Sequence, residues 1–150
     1  MINLQPIGLD AHIPARREHH CVAVALALHE LTDWPLYCFI AYEVDFGAQV
    51  LASHAVVESP RGFFDLGGPE ALERWWEGLC AEDPRGDLSL VDVAVRTTSV
   101  ELLRDCALEE DIAGTDSDLD GAVRQAMPVA RAALRQHGFE PLQERAANAS

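Results

Sequence analysis

Three side chains in this sequence are of the types that together make an acyl-transfer site: Cys21, His54 and Asp65. A cysteine attacks a carbonyl carbon as its thiolate, and unpaired N–H groups and positive potential at a helix start favour that form. An imidazole takes the proton and later returns it to the leaving group. A carboxylate holds the imidazole in one tautomer. Read this way, Cys21 is the nucleophile, His54 the general base and Asp65 the orienter.

The local settings fit those roles. Cys21 stands near the expected start of a helix over about residues 18–31, whose segment CVAVALALHEL is apolar on nearly all sides and so belongs at the centre of a fold. Glu18 near its start suits the positive end of the helix dipole. The pair Trp34-Pro35 ends it, since a residue before proline avoids helical geometry. Residues 36–44 (LYCFIAYEV) and 49–58 (QVLASHAVVE) read as strands. Ser59-Pro60-Arg61-Gly62 is a turn signal, and a short third strand follows at 63–66. If 59–62 closes a tight hairpin, Asp65 falls diagonally opposite Val56, on the face that carries His54.

The second half reads as more helical. Pro69 opens a helix to residue 82, a strand covers 88–95, and Ser99 opens a helix to about 110. Residues 109–120 read as an acidic loop, and a last helix runs to His137, where Gly138 ends it. Pro128 marks either a kink or a fresh start within it. The result is one α+β domain over residues 1–150, with a central buried helix on a small antiparallel meander and a helical C-terminal half. Trp75 and Trp76, with Phe63 and Phe64, are candidates for a groove, one tryptophan being core and the other open to a partner.

Composition narrows the function. A chain of 150 residues, 49% hydrophobic, supports one good core. The net charge of −14, with eleven basic residues that are all Arg, disfavours nucleic acid and anionic membrane as partners. No apolar run is long enough to span a bilayer and the N-terminus lacks a secretory pattern, so the expected compartment is cytoplasmic. Cys38, Cys80 and Cys106 sit among apolar neighbours and read as free, buried thiols. Two groupings carry metal-ligating residue types. Asp116, Asp118, Asp120 and Gly121 match the first half of a calcium loop, but its closing Glu is replaced by Met127. His19, His20 and Cys21 with His54 lack a second cysteine at ligand spacing. Neither implies a metal, and no cofactor is expected.

The stretches HCVAVALALHELTDWPLY and SHAVVESPRGFFDLGG together resemble the papain-like superfamily (NlpC/P60, bacteriocin-peptidase and transglutaminase-like enzymes). Short members carry a helix-borne Cys, a strand His followed by branched residues, a turn, and an aromatic-Asp-x-x-Gly segment. Here these are Cys21, His54-Ala-Val-Val and Phe64-Asp65-Leu66-Gly67, with Gly68 in the family's glycine position and Gly67 one place early. The resemblance covers about residues 18–68. It implies a Cys-His-Asp triad acting on an amide bond in a peptide or protein substrate, as peptidase, amidase, deamidase or acyltransferase. The side-chain donor that relatives often place before the Cys is missing from Ala15-Arg16-Arg17-Glu18-His19-His20, so the oxyanion-hole donors stay open. The alternative is a non-catalytic acidic protein, an inhibitor or immunity factor that masks a basic partner. Small size and acidity fit a bacterial or phage accessory protein under either heading.

Overall fold

The computed structural model describes residues 21–43, 50–82, 91–109 and 116–142. Among the described residues, four helices and four strands run in the order α1 (Cys21–Thr32), β1 (Leu36–Glu43), β2 (Val50–Ser59), β3 (Gly62–Phe64), α2 (Ala71–Glu82), β4 (Val91–Thr97), α3 (Val100–Glu109) and α4 (Asp116–Gln136). The architecture is α+β. One sheet has the strand order β3-β2-β1-β4 with every neighbour antiparallel. β1 to β3 form the expected meander, and β4 adds to the free edge of β1.

Alternation along the strands decides what covers each face. Leu36, Ala55 and Val57 point into the core beneath α1, together with Leu119, Val123, Ala126, Ala130, Ala133 and Leu134 of α4. Phe39, Ala41, Ala52 and Val56 point the other way, into a second core closed by Ala71, Trp75 and Leu79 of α2. α1 is buried from Cys21 through Leu28. Its alanines at 23, 25 and 27 let sheet and helices approach closely on several sides. Thr32 returns its hydroxyl to the Leu28 carbonyl at 2.6 Å, and the Asp33 N–H bonds the His29 carbonyl at 2.7 Å with φ at 61°. A left-handed residue of this kind is a common helix stop.

Three expectations are corrected, and one of the two alternatives at Pro128, a fresh helix start, is excluded. Residues 116–120 are the first turns of α4 and not loop, which places the calcium half-motif on a helix whose Asp120 accepts from Arg104 at 2.6 Å. Acidic residues are favoured there by the helix dipole. α4 also runs unbroken through Pro128. Pro128 and Arg124 are both exposed, so the carbonyl that loses its N–H partner faces water and the helix continues. Cys80 is exposed, while Cys38 is half-buried. Its position at 80 follows buried Leu79 on α2, which turns it off the apolar stripe of Ala71, Trp75 and Leu79. Finally, α2 begins two residues after Pro69, because Glu70 takes a left-handed turn at φ 66°. His19, His20 and the segment 1–20 lie outside the described residues, as does the stretch 110–115. Among the described residues no helix is long and apolar enough to cross a membrane.

Candidate active site

The hairpin between β2 and β3 closes as its residues dictate. Ser59 pairs with Gly62, its hydroxyl donates to the Gly62 carbonyl at 2.7 Å, and the Arg61 N–H donates back to that hydroxyl at 3.1 Å. Gly62 sits at φ 113°, which only glycine adopts without strain. The ladder continues through Glu58 with Phe63 and Val57 with Phe64. One residue further on, Asp65 leaves the strand and closes a turn with Gly68: its N–H donates to the Gly68 carbonyl, and the Gly68 N–H returns the bond at 2.9 Å.

That register brings His54 and Asp65 together. His54 Nε2–H donates to Asp65 Oδ2 at 3.0 Å. Asp65 Oδ1 is filled from the other side, by the Gly67 N–H at 2.8 Å and by Arg74 Nη2 at 2.7 Å. The imidazole lies parallel to the Trp75 indole, with ring centroids 6.4 Å apart, and beside Phe39. His54 is only 6% exposed and Cys21, at the first turn of α1, only 3%. Both are therefore nearly closed to solvent.

The charges of the site follow from this packing. Burial alone would push the His54 pKa down, but the Asp65 hydrogen bond and then the Cys21 thiol outweigh it and raise the imidazole to about 9. Burial also opposes ionisation of Asp65, and the His54 hydrogen bond and charge, Arg74 and the Gly67 N–H overcome it, holding the carboxyl well below the usual range. Near neutral pH the pair is imidazolium and carboxylate. Cys21 acts on the imidazole as a close neighbour, yet His54 Nδ1 closes no hydrogen bond of good geometry. The Trp75 indole N–H is likewise buried without an acceptor.

A stability prediction follows from the His54 shift. Between pH 6.5 and about 9 the folded chain keeps a proton on His54 that the unfolded chain releases, so stability falls as pH rises through that window. The loss is at most roughly 3 kcal/mol, and it belongs to the His54–Asp65 pair as a whole. Urea unfolding at pH 6 and pH 10 measures it. An equal pH dependence in His54→Asn would assign the effect to another group.

Two residues of this arrangement escaped the sequence reading in their roles. Nothing in the sequence singles out Arg74, and of Trp75 and Trp76 the sequence makes one core without saying which, or tying it to His54. The helical spacing of Ala71, Trp75 and Leu79 was visible, but which face of the sheet it covers was not. Among the described residues no group of His, Cys, Asp and Glu is placed to hold a metal ion. Comparison of the chain with protein-family models, curated proteins and solved structures found no match.

Proposed function

We propose that the chain is a papain-like thiol enzyme that opens an amide bond of a peptide or protein through a thioester on Cys21, in a reducing, cytoplasmic setting. The observation that carries this reading is the His54 ring. Its Nε2 edge is committed to Asp65, while Nδ1, buried and without a hydrogen bond, is left on an imidazole that Cys21 influences from a helix start. An imidazolium beside the sulfur favours thiolate. The thiolate adds to the carbonyl carbon, Nδ1–H passes its proton to the departing amine, and the C–N bond breaks to leave the acyl group on sulfur. Water or a second amine then attacks the thioester, giving up a proton to the neutral imidazole as the C–S bond breaks. Asp65 keeps the ring oriented throughout and stabilises its charged form.

An activated ester tests this without knowledge of the natural substrate. On brief exposure to p-nitrophenyl acetate near neutral pH, Cys21 is expected to carry the acetyl group ahead of Cys80, as read by peptide mass spectrometry. Cys21→Ala should remain folded, since alanine suits a helix already built from alanines, and should lose that label. Asp65→Asn should weaken labelling less than His54→Ala. Labelling of Cys21 that is indifferent to both substitutions would remove the enzyme reading and leave the acidic binding protein as the better account.

A further inference from the structure

Behind Asp65 stands a side chain that touches no part of the proposed reaction. Arg74, on the first turn of α2, donates to three acceptors of one short turn: Asp65 Oδ1 at 2.7 Å, the Gly68 carbonyl at 2.7 Å, and the Pro69 carbonyl. A planar guanidinium can serve three acceptors at once, where an ammonium would act only as a point charge. The approach is so close that a Cβ on Gly67 would lie 2.7 Å from Arg74 Nε and 3.0 Å from Cζ. Gly67 therefore does two things: its N–H bonds Oδ1 at 2.8 Å, and its missing side chain makes room for the guanidinium. The glycine that falls one place early for the family pattern is the one over which Arg74 passes.

We propose that Arg74 is a positioning residue: seated over Gly67, it clamps the turn 65–69 and holds Asp65 so that Oδ1 is occupied and Oδ2 faces His54. Asp65 follows the last residue of β3 and lies outside the sheet ladder, so the ladder alone does not fix its side chain. With Oδ1 taken from behind, the carboxylate cannot rotate away without breaking bonds to both Arg74 and Gly67. Any contribution to catalysis rests on the Cys21–His54 reading, but the positioning of Asp65 does not.

The titratable groups acting on His54 are Asp65 and Cys21, Trp75 and Phe39 being uncharged, while Arg74 acts on Asp65. This gives the test a sign. If Arg74 only neutralises charge, its removal leaves Asp65 in place with its negative charge less screened, and the His54 midpoint stays or rises. If Arg74 holds Asp65 in position, its removal lets the carboxylate swing away, and burial lowers the midpoint.

The ring nitrogens of His54 can be titrated by ¹⁵N NMR in the wild type and in Arg74→Ala, Arg74→Lys and Gly67→Ala, with Asp65→Asn as the reference for full loss. Gly67→Ala matters most, because it keeps Asp65, His54 and Arg74 and only pushes the guanidinium off the turn. The expected result is a midpoint lowered by about one pH unit or more in all three. An unchanged or raised midpoint in Gly67→Ala and Arg74→Ala, or a wild-type midpoint in Arg74→Lys, overturns the proposal. Cys21 alkylation followed on the same samples separates the two ideas. A lowered His54 midpoint with an inert wild-type Cys21 keeps the clamp and sinks the enzyme.

Discussion

His54→Ala is expected to slow alkylation of Cys21 by iodoacetamide at pH 6 by roughly 10²-fold, the lower end of what a positioned acid–base partner contributes. The thiolate is the reacting form, and below neutral pH an ordinary thiol is almost wholly protonated. Cys21 is a close neighbour of the His54 imidazolium. Removing the ring takes away that charge, which favours the thiolate. Cys80 supplies the internal reference, since it is exposed and has no part in the His54–Asp65 pair. The measurement is a ratio of rates for two peptides from one sample across pH 4–9. Should Cys21 react no faster than Cys80 at pH 6 in the wild type, or equally fast after His54→Ala, the two residues do not form a working pair. Iodoacetamide is small, which suits a thiol that is 3% exposed.

The largest expected loss of stability comes from Phe64→Ala. Phe64 is fully buried and meets Trp34, Phe139 and His137 edge-on, with ring centroids 5.8, 5.7 and 5.7 Å away. Truncating such a ring removes its transfer free energy and leaves a cavity, together about 3–5 kcal/mol. The cavity is hard to refill here because the rings around it come from two separate places: Trp34 just beyond α1, and His137 and Phe139 just beyond α4. Urea unfolding at pH 6 measures the change. A loss below about 1 kcal/mol would mean that the cluster collapses onto itself and is not a rigid joint. Phe63→Ala is the comparison, since that ring is only half-buried and packs on Tyr37 and Phe39 across the other face.

Much of the site was legible because its determinants are local. The strand pattern of 49–58 and the turn Ser59-Pro60-Arg61-Gly62 set a register, and a two-residue hairpin leaves one choice for what lies opposite Val56. That register puts Asp65 on the face that carries His54. The buried character of α1 was equally plain, since no face of CVAVALALHEL is polar. What stayed hidden depends on contacts distant in sequence. Nothing around Arg74 says that its guanidinium reaches back to Gly68 and Asp65, and nothing around Cys80 fixes which side of α2 meets water. The start of α4 was misread because aspartates signal loops and helix N-termini alike. Pro128 was undecidable for a similar reason: its cost depends on whether the lost bond faces solvent, and only packing settles that.

The closing of α4 over α1 bears on when, during synthesis, this chemistry becomes available. Cys21, His54, Asp65 and Arg74 all leave the ribosome early, yet the apolar surface of α1 is covered by residues 119–134, and the turn after Phe64 is braced by His137 and Phe139. A nascent chain that has emerged only as far as α2 therefore holds every reacting group and lacks the packing that keeps them in register. Cys21 is packed into the core only after the last helix is made, so an unfinished chain lacks the geometry on which the proposed chemistry depends.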